Sequence, residues 1–116
     1  MSSIIYKIVA QDTWNRALEK GTFEGAEIDL EDGFIHFSTA AQVRKTAARF
    51  FAGRDGLCLV AVDADSLGDD LKWEPASNGI LFPHLYGPLP LSAVVSQDEL
   101  SLGPSGAHRF PSEIPV

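Results

Sequence analysis

Two histidines stand in segments whose composition suits a binding or catalytic site. His36 lies in the segment 32–39, beside the strand formers Phe34, Ile35 and Phe37, and His84 lies in an apolar run with prolines, 81–88. An imidazole changes charge near neutral pH, so it can act as an acid or base or bind ligand hydroxyls. Ser38 and Thr39 add two hydroxyl groups just after His36. We therefore predict that His36 and His84 line one concave pocket.

The residues after His36 predict a change from strand to helix. Thr39 is followed three residues later by Gln42, the spacing of a capping box. A helix N-terminus presents unpaired N–H groups, and together with the imidazole and the hydroxyls these can hold an anion or a ribose. A histidine on an apolar strand is also commonly a core residue with satisfied hydrogen bonds. Both interpretations of His36 stay open.

The second histidine lies in a segment that the sequence predicts to be rigid and without regular structure. Pro83 and Pro88 flank it and restrict the backbone. Tyr86 either stacks on a ligand ring or covers the sheet, and the alternative for His84 is a loop packed over the core. Glu74 either orients a histidine or is an exposed carboxylate on a strand.

Length and composition favour one domain over residues 1–116. The chain has 116 residues, of which 45% are hydrophobic, enough to bury a core. No apolar run approaches the roughly 20 residues of a membrane span. The N-terminus lacks the pattern of a signal peptide. We expect a cytoplasmic protein that does not bind membranes.

Charge and ligand spacing limit the partners. The net charge is −7, from 16 acidic against nine basic side chains, which argues against general nucleic-acid binding. Arg44, Lys45 and Arg49 share a predicted helix, which is either a solvated face or an anion contact. The three histidines have no metal-binding spacing, so no metal is expected. Cys58 lies in an apolar strand and is predicted to be a buried, unreactive thiol.

The elements that must position these residues predict an α+β fold. Helices are expected from Asp12 or Thr13 to Gly21 and over 40–52, and a polar loop over 22–32. Strands are expected over 4–9, 34–37, 57–63, 71–74, 80–82 and 91–96, with a turn at 77–79 and coil from about 103. Short strands without helices between them late in the chain favour curved, mainly antiparallel sheets.

Several motifs together resemble a bacterial family of unknown function, some members of which are labelled glutathione S-transferase domain proteins. The resemblance covers the chain to about Leu100 and is carried by the runs 6–8, 32–39, 62–63, 71–74 and 82–89, with Trp14, Ala17, Gly21 and Phe23. The chain gives the glutathione label no support, because it is too short for a thioredoxin-like half plus a helical half and lacks a thiol site. The family is grouped with the ADP-ribosyltransferase-like fold. His36-Phe37-Ser38 is remotely similar to a strand of the NAD-dependent RNA 2′-phosphotransferases.

This resemblance implies an ADP-ribosyltransferase-like fold with NAD as co-substrate in a cleft between two small sheets. His36 and His84 are then the catalytic candidates. The ligand-binding candidates are Lys7, Ser38, Thr39, Arg49 and Tyr86. The late strand over 91–95 lacks the glutamate that such transferases often carry. The leading hypothesis is NAD-dependent ADP-ribosyl transfer. The alternatives are a non-catalytic module for a nucleotide or small ligand, and an interaction domain whose histidines are structural.

Overall fold

Two long apolar strands that pair with each other organise the fold. In the computed structural model, which describes residues 3–111, β1 (Ile4–Ala10) runs antiparallel to β5 (Leu57–Asp63) along its whole length. Both strands are buried on both faces, as their continuous apolar composition predicts. Alternate side chains point to opposite sides of the sheet, so these two strands contribute to two separate cores.

Each face of the central sheet is covered by a different set of elements. Ile5 and Val60 pack on one side with Trp14 of the first helix and with residues of a second sheet, including Leu85. On the other side, the apolar cluster includes Tyr6, Ile8, Leu59, Val43 and Ala47, the last two from the third helix. Because both faces of the sheet are covered, side chains that point to either face of β1 and β5 are apolar.

Three antiparallel sheets and three α-helices make up the described part of the chain. The four-stranded sheet has the order β4-β1-β5-β9, the three-stranded sheet β3-β7-β6, and the two-stranded sheet β2-β8. The remaining elements are β2 (Thr22–Phe23), β3 (Ile35–His36), β4 (Ser38–Thr39), β6 (Leu71–Pro75), β7 (Leu81–Leu85), β8 (Leu89–Pro90), β9 (Val94–Leu100), α1 (Gln11–Lys20), α2 (Glu27–Asp32), α3 (Ala40–Phe50) and the 3₁₀ turns Ala64–Asp70 and Leu91–Ala93. The predicted α+β class with antiparallel sheets is confirmed.

The strand predicted over 34–37 is in fact divided between two sheets. β3 pairs with β7, whereas β4 pairs with β1 two residues later. Phe37 makes the crossing, and its N–H donates to the carbonyl of Pro83 at 3.0 Å. The change of sheet places His36 on the three-stranded sheet and Ser38 on the four-stranded sheet. Both residues therefore border the space between the two sheets.

The polar loop predicted over 22–32 contains β2 and α2. Asp29 stabilises the start of α2, because its Oδ2 accepts from the backbone N–H of Ala26 at 2.7 Å. Gly33 ends the helix with a φ of 85°, a conformation that glycine adopts without strain. The helix was not predicted because its apolar side chains do not form a buried stripe.

The boundaries of other elements also differ from the predictions. Helix α1 begins directly after Ala10 without a side-chain cap, so neither Asp12 nor Thr13 caps it. Pro83 and His84 lie inside β7 and not in an irregular segment. The proline is tolerated there because β3 ends opposite it, so little of the ladder is lost. The late strand begins at Val94, after a 3₁₀ turn.

The coil predicted from about 103 agrees with residues 103–111, apart from a bridge between Leu102 and His108; its last residues, 112–116, lie outside the described part. Between residues 3 and 111, no helix is both long and apolar enough to cross a bilayer.

Candidate functional site

A pocket of about 530 Å³ opens where the two larger sheets meet α2 and α3. His36 and His84 both line it, as predicted. They are directly opposite each other in the β3–β7 register, with ring centroids 5.5 Å apart and planes at 68°. The antiparallel pairing of two short strands therefore brings together two histidines that are 48 positions apart in the sequence.

His36 is held by a buried carboxylate. Oδ1 of Asp29 contacts Nδ1 of His36 at 2.7 Å, the backbone N–H of His36 at 3.1 Å and Nζ of Lys7 at 2.9 Å. Burial raises the pKa of Asp29, but the hydrogen bond from His36 and the charge of Lys7 outweigh this and lower it to about 2. Asp29 is thus an ionised centre that ties α2, β1 and β3 together.

The second ring nitrogen of His36 is also engaged. Nε2 lies 2.9 Å from Oδ2 of Asp32, at the end of α2. Carboxylates therefore contact both ring nitrogens of His36. The Asp32 side chain is 45% exposed, whereas that of Asp29 is 1% exposed. A ligand can therefore displace Asp32 from the ring far more easily than Asp29.

His84 has a different environment. Its Nδ1 lies 2.9 Å from Oε1 of Glu74, and the same oxygen accepts from the hydroxyl of Tyr86 at 2.7 Å. These two hydrogen bonds, from Tyr86 first and then His84, lower the pKa of Glu74. The bond to Glu74 raises the pKa of Tyr86. The ring of Phe34 stacks on His84 at 4.2 Å and 27°, which fixes the plane of the imidazole.

Two of the five predicted ligand-binding residues line the pocket. Lys7 does so, but its ammonium group is buried against Asp29; burial lowers its pKa, and the Asp29 carboxylate opposes that shift. Ser38 also lines the pocket, with its hydroxyl 2.9 Å from that of Thr46. Both polar groups therefore already have a hydrogen-bonding partner within the protein.

The other three predicted ligand-binding residues lie outside the pocket lining. The backbone N–H of Thr39 donates to Oε1 of Gln42 at 3.0 Å, as the predicted capping box requires. Arg49 lies on the exposed face of α3, 5.3 Å from the ring of Phe50. Tyr86 acts on Glu74 and does not reach the lining.

The sequence matches a known protein family. Residues 8–97, which include both histidines and all three carboxylates described above, match the family described as Protein of unknown function (DUF952). The chain belongs to the DUF952 family. A search of curated proteins gives no match.

Solved structures similar to this DUF952 chain carry no functional description in their names. The X-ray structure of protein CC0527 from Caulobacter crescentus has 46% identity and a TM-score of 0.88, over 92% of this chain and 94% of that one. The solution NMR structure of CC0527 has 47% identity and a TM-score of 0.81, over 90% of each chain. These matches support the described fold and a family of unknown function.

Sequence reasoning missed one basic residue of the DUF952 pocket. Arg54, in the turn after α3, lines the pocket, and its guanidinium group lies 5.1 Å from the ring centre of Phe51. Within residues 3–111 it forms no ion pair, whereas Lys7 is paired with Asp29. The sequence of a turn has no hydrophobic periodicity that predicts where its side chains point, so the contact of Arg54 with the pocket is seen only in the fold.

His108 is separate from the two pocket histidines. It borders another cavity of about 550 Å³, between α3 and the segment 105–110, and its Nε2 lies 2.7 Å from the carbonyl oxygen of Arg54. Its contact with the turn fastens the C-terminal segment beside α3. Over residues 3–111, no group of three or more His, Cys, Asp or Glu side chains has an arrangement suited to a metal ion.

Cys58 is buried in β5, and its thiol is expected to be unreactive. Burial, followed by the nearby charge of Asp98, raises the pKa of this thiol to about 11. Because the thiolate is the reacting form, a thiol reagent at pH 8 should label the native protein slowly and the urea-unfolded protein rapidly. Equal labelling rates, followed by absorbance or mass, would contradict the burial of this side chain.

Proposed function

We propose that the pocket binds an NAD-type nucleotide, with His36 and His84 at its ribose hydroxyls, and that it supports ADP-ribosyl transfer. One observation carries the proposal: two imidazoles lie side by side in a pocket between two sheets, each with a ring nitrogen on a carboxylate. Rings oriented in this way offer fixed hydrogen-bonding groups to a pair of neighbouring hydroxyls.

The rest of the lining suits a flat ring and a phosphate group. Phe37, Phe50 and Phe82 contribute aromatic surface to the pocket, on which a nicotinamide or adenine ring can pack. Arg54 supplies a planar cation of the type that binds phosphate oxygens. The volume of about 530 Å³ lies within the roughly 300–1,000 Å³ of small-molecule sites. In this proposal Arg54 makes the phosphate contact, for which the sequence offered Lys7 or Arg49.

A carboxylate is needed opposite the positive charge that develops on the ribose during transfer. Glu99 on β9 is opposite Cys58 and does not line the pocket, so the late strand does not supply it. Asp32 does line the pocket, and among residues 3–111 its carboxylate bonds to His36 alone. We assign to Asp32 the stabilisation of the oxocarbenium-like state, once the ligand has replaced its contact with His36.

A non-catalytic nucleotide-binding module is the second candidate. It is favoured by the environment of His36, where carboxylates occupy both ring nitrogens and leave neither free to transfer a proton. In such a module the two histidines only bind ribose, and Asp32 contacts His36 while the pocket is empty. Release of nicotinamide from bound NAD separates the two candidates.

A thermal-shift screen with NAD, ADP-ribose, other nucleotides and glutathione tests the binding. NAD and ADP-ribose are expected to stabilise the protein, by about 2.7 kcal/mol at 100 times the dissociation constant. Release of nicotinamide from bound NAD then identifies the enzyme, and binding without release identifies the module. Absence of stabilisation by every nucleotide at millimolar concentration would refute both candidates.

Two variants localise the bound nucleotide. Arg54→Gln should weaken binding of ADP-ribose but not of nicotinamide riboside, which lacks phosphates. Lys45→Gln removes an exposed positive charge from α3 outside the pocket and should change neither affinity. Equal weakening by the two variants would mean that only the general charge of the protein matters.

A further inference from the structure

The two pocket histidines differ in the nitrogen that each leaves available. Glu74 accepts from Nδ1 of His84, so in the neutral ring that nitrogen carries the proton and Nε2 keeps its lone pair. Among residues 3–111, no group hydrogen-bonds to Nε2 of His84, whereas both nitrogens of His36 contact carboxylates. His84 is therefore the pocket imidazole with a basic nitrogen ready to accept a proton.

Three neighbours fix the orientation of His84. Its backbone is held in β7 between β3 and β6, the Phe34 ring stacks on one face, and Glu74 fixes the rotation of the imidazole. The Tyr86 hydroxyl donates to the same Glu74 oxygen and so holds the carboxylate in place. A base needs this kind of restraint to meet a bound hydroxyl in one geometry.

We propose that His84 is the general base of the pocket and that Glu74 is its positioning residue. The inference rests on the proposed nucleotide site for the bound molecule. Nε2 of His84 takes the proton of an alcohol or water while that oxygen bonds to the anomeric carbon of the ribose. Nicotinamide leaves with the electron pair of the broken C–N bond. The Glu74 carboxylate stabilises the imidazolium, which then returns its extra proton to solvent.

In this assignment the two histidines have different roles. His36, held by Asp29, binds and orients the ribose through the nitrogen that contacts Asp32 in the empty pocket, and His84 accepts the proton. Tyr86 donates to Glu74 and reduces the negative charge that Glu74 presents to His84. Removing the tyrosine hydroxyl should therefore leave the base intact or strengthen it, whereas removing the carboxylate should weaken it.

NMR of the histidine rings without nucleotide tests the arrangement. In the wild-type protein, neutral His84 should carry its proton on Nδ1. Glu74→Ala should give a mixture of the two tautomers, whereas Glu74→Gln should retain the Nδ1 form because an amide oxygen still accepts. Tyr86→Phe should also retain it. A wild-type His84 protonated on Nε2 would overturn the proposal.

Carbethoxylation by diethylpyrocarbonate tests the basic nitrogen, because the reagent reacts with an unprotonated ring nitrogen. Mass spectrometry should find His84 modified before His36, although its side chain is 14% exposed and that of His36 is 33% exposed. Measured at a pH where His84 is unprotonated in every variant, so that only the strength and orientation of Nε2 differ, the rate at His84 should fall severalfold in Glu74→Ala, less in Glu74→Gln, and not in Tyr86→Phe. Modification of His36 first, or a loss in Tyr86→Phe as large as in Glu74→Ala, would overturn the assignment. Since no nucleotide is present, failure here is distinct from a failure of NAD to bind.

Discussion

Replacing Asp29 with alanine is expected to lower the free energy of unfolding by about 3–5 kcal/mol, because it leaves a buried charge without its partner. The Lys7 ammonium loses its only ion pair in the described part of the chain, and its side chain is 6% exposed. The N–H of Ala26 and that of His36 also lose their acceptor. Urea unfolding followed by fluorescence measures the loss.

Matched variants separate these contributions. Asp29→Asn, which keeps an acceptor oxygen but no charge, should cost less than alanine. Adding Lys7→Met to Asp29→Ala should restore part of the stability, since the unpaired ammonium is removed. Glu24→Gln disrupts the exposed pair with Lys20 and should cost only about 0–1 kcal/mol. An Asp29→Ala protein as stable as Glu24→Gln would disprove the central role of this carboxylate.

Acid should destabilise the protein through the same residue. The pKa of Asp29 is about 2 in the folded protein against 3.8 for the ordinary side chain. Because the folded-state pKa is the lower one, its contribution is complete above the unfolded-state value and is lost as the pH falls toward 2. The shift corresponds to about 2 kcal/mol, lost mainly between about pH 5 and pH 2.

Unfolding measured in urea at a series of pH values tests this dependence, with Asp29→Asn as the control. The wild-type protein should lose the expected stability over that range. The variant should start from a lower stability and show a shallower decline, because the neutral amide binds no proton. Parallel declines in the two proteins would assign the acid sensitivity to other carboxylates.

The central strands and the pair of histidines were predictable from the sequence for local reasons. β1 and β5 are continuous apolar runs, and the start of α3 follows from the spacing of Thr39 and Gln42. His36 and His84 stood out because each interrupts an apolar segment. Patterns within a few residues were enough to locate these features.

The carboxylates that orient the histidines were not predicted as a site, because each contact depends on the fold. Asp29 appeared to be a loop residue, and its importance arises from contacts with Lys7 and His36. Glu74 reaches His84 only through the β6–β7 register, so the sequence left its role open. The change of sheet at Phe37 was missed because hydrophobic periodicity predicts a strand but does not show which strand it pairs with.

The most direct test of the nucleotide site is an NMR titration of the protein with NAD, following the ring resonances of the histidines. The signals of His36 and His84 should shift together and saturate with the same dissociation constant, which should also match that from thermal stabilisation. His108 lines the other cavity, where its ring contacts the backbone carbonyl of Arg54, so its signals should shift less than those of the two pocket histidines. Unchanged signals of His36 and His84 at millimolar NAD, or a shift confined to His108, would contradict the proposed site.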